Sequence, residues 1–168
     1  WTPIGSYYKP FKGEFDGIAG KNNRKIYGLY IKNTSSNYMG LFGYTDNVKI
    51  SNLDVLGGYI TAKNNVGSLI GSASGGAISN VHSEVNVTGS NKVGGLVGYS
   101  TASITTSSAK GIVVGQDSVG GLVGATTVSI MGTEKNNTYF LGSVTGRKCV
   151  GGLVGFGKNV SKSYADGA

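Results

Sequence analysis

Short apolar segments recur along this chain at a nearly fixed spacing, with glycine, asparagine, serine and threonine between them. The block VGGLVG at residues 93–98 returns unchanged at 119–124 and 150–155. Looser copies come earlier, at 66–71 and 38–43. The five copies start 28, 27, 26 and 31 residues apart. A block that returns at such a period is typical of a repeat architecture in which each repeat forms one layer.

Two further apolar positions keep step with the block. One aliphatic residue lies six positions before the block's start, and another follows 10 to 12 positions after it. The preceding set is Ile60, Val87, Val113 and Val144, and the following set is Ile50, Ile78, Ile104, Ile130 and Val160. Each period therefore contains three short apolar segments.

These segments predict strands rather than helices, because they are short, interrupted by glycine and rich in β-branched residues. A period near 27 with three short strands fits one turn of a parallel β-solenoid, in which each strand pairs with its equivalent in the next turn. We predict an all-β, parallel β-solenoid of five to six turns of roughly 26–28 residues, right-handed because parallel crossovers almost always are. Stacking then forms one core column from Leu41, Leu69, Leu96, Leu122 and Leu153.

The pattern predicts a single domain over residues 1–168. Residues 1–20 lack the block, and we expect them to cap the first turn, with Trp1, Phe11 and Phe15 over its core. Residues 21–168 form the repeats, and the last turn is incomplete. The 31-residue step predicts an inserted loop at 133–139.

Two neighbouring columns of the block are apolar in every copy, which a regular strand does not explain, because successive side chains point to opposite faces. One alternative is a bend that buries both columns. The other is an outward apolar stripe that binds a neighbouring segment or a partner. That stripe would consist of Phe42, Ile70, Val97, Val123 and Val154. In the first copy Met39 takes the place of a glycine, so this position is expected to accept a side chain.

The Gly-Leu-any-Gly core of the block resembles the GLUG repeat. That core stands at 40–43, 95–98, 121–124 and 152–155, and the copy at 68–71 departs only at its first residue. The resemblance spans essentially the whole chain and implies a bacterial secreted or cell-surface protein. In that family the repeats are non-catalytic segments of large surface proteins, including streptococcal immunoglobulin A peptidases. The resemblance brings no catalytic residues with it.

Composition and charge narrow the classes of function. The chain has 15 lysines and arginines against 8 acidic residues, but its cations are scattered along the sequence. Nucleic-acid-binding proteins usually group their cations on one face, so we expect no nucleic-acid partner. One histidine and one cysteine, Cys149, cannot by themselves form a zinc site or an internal disulfide, and we expect no metal or other cofactor. No apolar run reaches the roughly 18 residues of a membrane span.

A polar column shares one register with the apolar columns. Asp54, His82, Ser108 and Glu134 each lie four residues after an aliphatic column residue. A serine, a histidine and an aspartate in line invite comparison with a catalytic triad, but stacked turns align such positions automatically. We interpret the column as a solvated face. Asn52 and Asn80 stack in the same way and predict a short amide ladder.

Ten tyrosines remain, and several lie in the first turns. They either pack the N-terminal turns or form a stacking platform for a sugar. We favour packing.

The sequence leaves three functions open. The first is a non-catalytic β-solenoid module of a bacterial surface protein, a spacer or display scaffold that also serves as an adhesin for a host protein or glycan. The second is an accessory segment of a secreted peptidase, which positions substrate. The third is a carbohydrate-active β-helix enzyme, which needs clustered carboxylates. We favour the first, at an extracellular location and joined to other domains of a longer parent chain, and we expect no enzymatic activity.

Overall fold

The computed structural model of the chain describes residues 1–19, 22–133 and 135–167. Within these ranges the chain forms strands and no helix. The strands are β1 (Phe11–Asp16), β2 (Ile18–Ala19), β3 (Asn22–Lys32), β4 (Phe42–Thr61), β5 (Asn64–Val66), β6 (Ile70–Thr88), β7 (Asn91–Gly94), β8 (Val97–Ser100), β9 (Ser103–Thr105), β10 (Ser108–Val114), β11 (Asp117–Gly120), β12 (Val123–Thr126), β13 (Ile130–Met131), β14 (Thr138–Thr145), β15 (Lys148–Gly151), β16 (Val154–Phe156), β17 (Val160–Ser161) and β18 (Ser163–Asp166).

These strands stack as a parallel β-solenoid of about five turns, which confirms the predicted fold class. Equivalent strands of successive turns pair in register. Ile78 pairs with Ile50 on one side and with Ile104 on the other, and Ile130 continues the column to Val160. The predicted leucine column also forms, and all five of its side chains are buried. The core is therefore one continuous stack of aliphatic side chains.

Each turn has four sides, where the sequence predicted three strands. The third turn shows them in order as β7, β8, β9 and β10, and we call these sides faces 1 to 4. The fourth and fifth turns repeat the series, whereas β4 and β6 run around the corners of the earlier turns without a break. The extra strand arises because the VGGLVG block, which reads as one segment, is split between β7 and β8.

A bend at Gly95 and Leu96 separates the two strands, and it contradicts the prediction of an outward apolar stripe. The carbonyl oxygen of Leu122 accepts from the amides of both Leu96 and Val97, at 2.9 and 3.1 Å. Successive amides of a regular strand point in opposite directions, so this shared acceptor marks the place where alternation fails. Both side chains consequently point into the core.

The five stripe residues are therefore core residues and not a binding surface. Phe42, Ile70, Val97 and Val123 are fully buried, and Val154 in the last turn is partly buried against the core. The alternative that the sequence also allowed, a bend that buries both columns, is the one that forms.

The bend also explains the glycine at the block's second position. A Cβ added to Gly94 would overlap the carbonyl oxygen of Val97 and lie 2.8 Å from that of Leu122. The expectation that this position accepts a side chain, based on Met39, is wrong. Met39 forms a bridge with Val66, so it occupies the valine column and Gly40 takes the glycine position. The first block therefore has five residues, 39–43, where the later blocks have six.

The N-terminal segment adds an irregular layer above the first turn. Strand β1 pairs with β4 in parallel, and the rings of Phe11 and Phe15 pack against Phe42. Trp1 remains 59% exposed, although its indole Nε1 donates to the carbonyl oxygen of Leu41 at 3.1 Å. The predicted end of the cap, at Gly20, lies outside the described residues. In the last turn, β18 pairs with the first half of β14.

Candidate functional site

The predicted polar column lies on face 4, and the structure changes its membership. His82 pairs with Asp54 on one side and with Ser108 on the other, as the sequence predicted. Ser108 then pairs with Tyr139, and Tyr139 pairs with Tyr164 of the last turn. Glu134, which the sequence placed next to Ser108, lies outside the described residues. Two tyrosines thus complete a column that the sequence ended with a carboxylate.

The inserted loop is the cause of this change. The sequence pattern placed the next member of the column four residues after Ile130, at a position that precedes the end of the inserted loop. Strand pairing resumes only at β14. The step from Ser108 to Tyr139 is 31 residues, equal to the step between the second and third intact blocks, which start at 119 and 150. That equality is the sequence signal for Tyr139, but it does not specify whether the inserted residues precede or follow the column position.

The amide ladder at the corner between faces 3 and 4 is confirmed. Nδ2 of Asn80 donates to Oδ1 of Asn52 at 2.7 Å, and Nδ2 of Asn52 donates to Oδ1 of Asp16 at 2.8 Å. Asn52 and Asn80 have φ angles of 59° and 53°. Asparagine tolerates this left-handed conformation better than most residues, because its side chain hydrogen-bonds locally.

The ladder changes the titration of the carboxyl group at its end. The hydrogen bond from Asn52 lowers the pKa of Asp16 below the usual 3.8, and further hydrogen bonds from the Ile18 amide and the Ser51 hydroxyl act in the same direction. Asp16 is thus held in its charged form as the acceptor that ends the ladder.

Hydrogen bonds hold both nitrogens of the His82 imidazole. Nε2 lies 3.2 Å from Oδ1 of Asn80, and Nδ1 lies 2.8 Å from Oγ of Ser108. An amide oxygen only accepts, so Nε2 carries a proton and donates. The Ser108 hydroxyl is the hydrogen-bond partner of Nδ1, so the ring is held from both ends.

This arrangement differs from a catalytic triad in its third member. Oδ1 of Asp54 accepts a hydrogen bond from Asn23 at 2.9 Å, and the group that orients His82 is the amide of Asn80. An amide does not stabilise an imidazolium as a carboxylate does. Ser108 is also only 5% exposed, which hinders approach of a substrate to its oxygen. The geometry favours a rigid polar surface over nucleophilic chemistry.

Two clefts flank the column and share His82 and Tyr139. The first has a volume of ≈ 460 Å³ and is lined by Asn80, His82, Thr106, Lys135, Asn136, Asn137, Tyr139 and Tyr164. We call it the tyrosine cleft. The second, of ≈ 400 Å³, lies on the other side of the column and includes Asp54, Glu84 and Lys110 among its lining residues.

The tyrosine cleft contains a stacked aromatic pair. The rings of Tyr139 and Tyr164 lie 5.2 Å apart between centroids, with 7° between their planes. Such offset stacking is a favourable arrangement for two aromatic rings. Tyr164 is 45% exposed and Tyr139 is half-buried, so the pair presents aromatic surface to solvent.

The N-terminal tyrosines form a separate cluster. Tyr7 stacks on Tyr38, at 5.8 Å between centroids, and makes edge contacts with Tyr8 and Tyr44. Tyr38 and Tyr44 also meet edge to face. These ring contacts agree with the packing role that the sequence favoured for the N-terminal tyrosines.

The remaining candidate features of the molecule concern metal binding, the free thiol and membrane-spanning helices. Within the described ranges, no three histidine, cysteine, aspartate or glutamate side chains are grouped to hold a metal ion. Cys149 is an exposed free thiol. The described part of the chain also contains no helix that is long and apolar enough to cross a membrane.

Two curated relatives resemble part of the chain. A protein of Evansella cellulosilytica named "Putative Gly-rich membrane protein" is 37% identical over 141 aligned residues, which cover 63% of this chain and 16% of that protein. Halomucin of Haloquadratum walsbyi is 36% identical over 89 residues, which cover 52% of this chain and 1% of halomucin. The chain therefore spans a small part of the length of either relative. No protein-family model and no solved structure matches it, so the GLUG resemblance stays a prediction.

Proposed function

We propose that this chain is a non-catalytic β-solenoid module of a cell-surface protein, in which it acts as an extracellular spacer and display scaffold. The observation that carries the proposal is the in-register stacking of like residues through five turns, such as the column from Ile50 to Val160. Each turn adds about 4.8 Å of length and is held by backbone hydrogen bonds to the turns on either side. A stack of this kind is a rigid element of defined length.

The relatives support the location and the modular character. One of them is named as a membrane protein, and both are many times longer than the segment that this chain matches. A surface location and a longer parent chain, with the repeats in a non-catalytic segment, are also what the GLUG resemblance implies.

The distribution of acidic side chains supports a non-catalytic role. Glycosidases place two carboxyl groups across a scissile bond. Here several acids instead form separate exposed ion pairs, such as Lys12 with Asp46 and Lys49 with Glu14, both at 2.8 Å. Exposed pairs of this kind contribute about 0–1 kcal/mol each to stability.

Immunolabelling of native cells tests this proposal. Antibodies raised against the 168-residue chain should label intact cells without permeabilisation, and on an immunoblot they should detect a polypeptide far larger than 17.2 kDa. Labelling that requires permeabilisation, or a native polypeptide near 17.2 kDa, would contradict the surface-module proposal. Pre-adsorption of the antibodies with the purified chain is the control for specificity.

A display scaffold also offers surfaces for adhesion. We propose a host protein or a glycan as the partner of this second role. The tyrosine cleft is the surface whose chemistry favours the glycan.

A further inference from the structure

The tyrosine cleft combines the two kinds of surface that a sugar ring requires. A pyranose has an apolar face of C–H bonds and a rim of hydroxyl groups. The stacked rings of Tyr139 and Tyr164 supply a rigid aromatic surface at low entropic cost, since a tyrosine has only two side-chain torsions. The volume of the tyrosine cleft, ≈ 460 Å³, lies within the range of small-molecule sites.

Polar groups that pair with hydroxyls line the same cleft. Asn136 and Asn137 are exposed, and each offers an amide donor and an amide acceptor, while Thr106 adds a hydroxyl. The imidazole of His82 is already held by Asn80 and Ser108. The aromatic pair and His82 stand on paired strands, so ligand binding does not have to order them.

The charge of the cleft favours a neutral ligand. Lys135 is the single lysine or arginine among the described lining residues, and the described lining contains no aspartate or glutamate. Sites for acidic ligands usually present arginine or several cations. The second cleft, in contrast, carries both acidic and basic side chains around Asp54 and Lys110.

We infer that the tyrosine cleft binds a neutral glycan, with the Tyr139–Tyr164 pair under the sugar face and with asparagine amides on its hydroxyl groups. This inference rests on the display role proposed above and names the class of ligand. The N-terminal tyrosines, in which Tyr7 stacks on Tyr38 and meets Tyr44 edge to face, are the competing aromatic surface that the test must distinguish from the cleft.

Nuclear magnetic resonance titration of the 168-residue chain tests the inference. The probes are cellohexaose, xylohexaose, mannohexaose and chitohexaose at millimolar concentrations, with a hexamer of galacturonate as the acidic counterpart. At least one neutral probe should shift the backbone amide signals of His82, Ser108, Tyr139 and Tyr164. Absence of shifts there with all four neutral probes, shifts confined to the N-terminal tyrosines, or binding of the galacturonate hexamer alone would each overturn the inference.

Variants then locate the binding energy. Tyr139→Ala should raise the dissociation constant of the bound probe by about five- to tenfold, the scale expected for loss of one stacked ring. Tyr164→Ala and Asn137→Ala, whose parent side chains are more exposed, give the same test if Tyr139→Ala fails to fold. Tyr8→Ala is the matched control, because Tyr8 is an exposed tyrosine in the N-terminal cluster. Equal weakening by Tyr8→Ala would overturn the inference.

The same spectra separate this inference from the proposed function. A probe that binds at the cleft and stays intact agrees with both. A probe that is shortened during the titration contradicts the non-catalytic role, whereas the assignment of the cleft stands. Probes that leave the spectrum unchanged refute glycan binding and leave the spacer role to the immunolabelling experiment.

Discussion

Asn80 donates a hydrogen bond of 2.7 Å to Asn52 of the adjacent turn of the solenoid, and both residues hold the left-handed backbone conformation. The two features depend on each other. The left-handed φ turns the chain from face 3 to face 4, and the amide ladder holds that corner in line through successive turns. Asn80 also positions His82 through its Oδ1, so this corner sets one wall of the tyrosine cleft.

Two substitutions at Asn80 separate these contributions. Asn80→Ala and Asn80→Gly both remove the amide, but only alanine opposes the φ of 53°. The glycine variant is itself somewhat destabilised, because glycine gives the unfolded chain more conformational freedom. We expect the free energy of unfolding of Asn80→Ala to be lower than that of Asn80→Gly by about 0.5–1 kcal/mol. Urea denaturation measures the difference, and an alanine variant as stable as the glycine variant would contradict the role of the backbone angle.

Gly94→Ala tests the close approach at the bend. The added Cβ would meet the backbone nitrogen of Gly124 at 2.7 Å, in addition to its overlap with Val97. Backbone atoms of stacked turns cannot move aside singly, so we expect a loss of about 3 kcal/mol or more in unfolding free energy.

Gly28→Ala is the control for that substitution. Gly28 has a φ of +66° but no neighbour within 4 Å of an added Cβ. It should lose only the roughly 1–2 kcal/mol that the left-handed conformation costs a non-glycine residue. A loss at Gly94 no larger than the loss at Gly28 would mean that the bend tolerates a side chain.

Val97→Lys tests the assignment of the former stripe to the core. Val97 is fully buried, and a lysine there would place a charge among aliphatic side chains, so we expect the variant to fail to fold. Ile112→Lys is the control, because Ile112 is 51% exposed on face 4 of the same turn. Circular dichroism and thermal unfolding report both. A folded Val97→Lys protein would restore the outward-facing hypothesis.

The lowered pKa of Asp16 predicts a specific dependence of stability on acid. Because the folded state binds this proton more weakly than the unfolded state, Asp16 stabilises the fold above pH 3.8 and loses that contribution as the pH falls through its lower folded pKa. Asp16→Asn should therefore be less stable than the natural chain at neutral pH, and the difference should narrow below pH 3.8.

Parallel denaturation curves across the acid range measure this gap. Because all other carboxyl groups are common to both proteins, their titration largely cancels in the comparison. A gap that stays constant from neutral pH to well below 3.8 would show that the charge of Asp16 does not contribute to the ladder.

The repeat architecture followed from sequence alone because in a solenoid like stacks on like. Ile50 and Ile78 are far apart in the chain but equivalent in the repeat, so a fixed spacing predicts their pairing without knowledge of the fold. The same reasoning placed Asn52 beside Asn80 and Asp54 beside His82, and the structure places both pairs as predicted.

Only the tertiary structure decided where the chain bends and where pairing resumes. The bend between β7 and β8 depends on a carbonyl of the next turn that accepts from two successive amides, and no local preference in VGGLVG encodes that contact. Tyr139 reached the polar column because β14 pairs with β10 after the inserted loop, and the loop's length alone did not specify that register. The periodic sequence determined what stacks on what. Contacts between turns determined which side chains point inward and which tyrosines form the cleft.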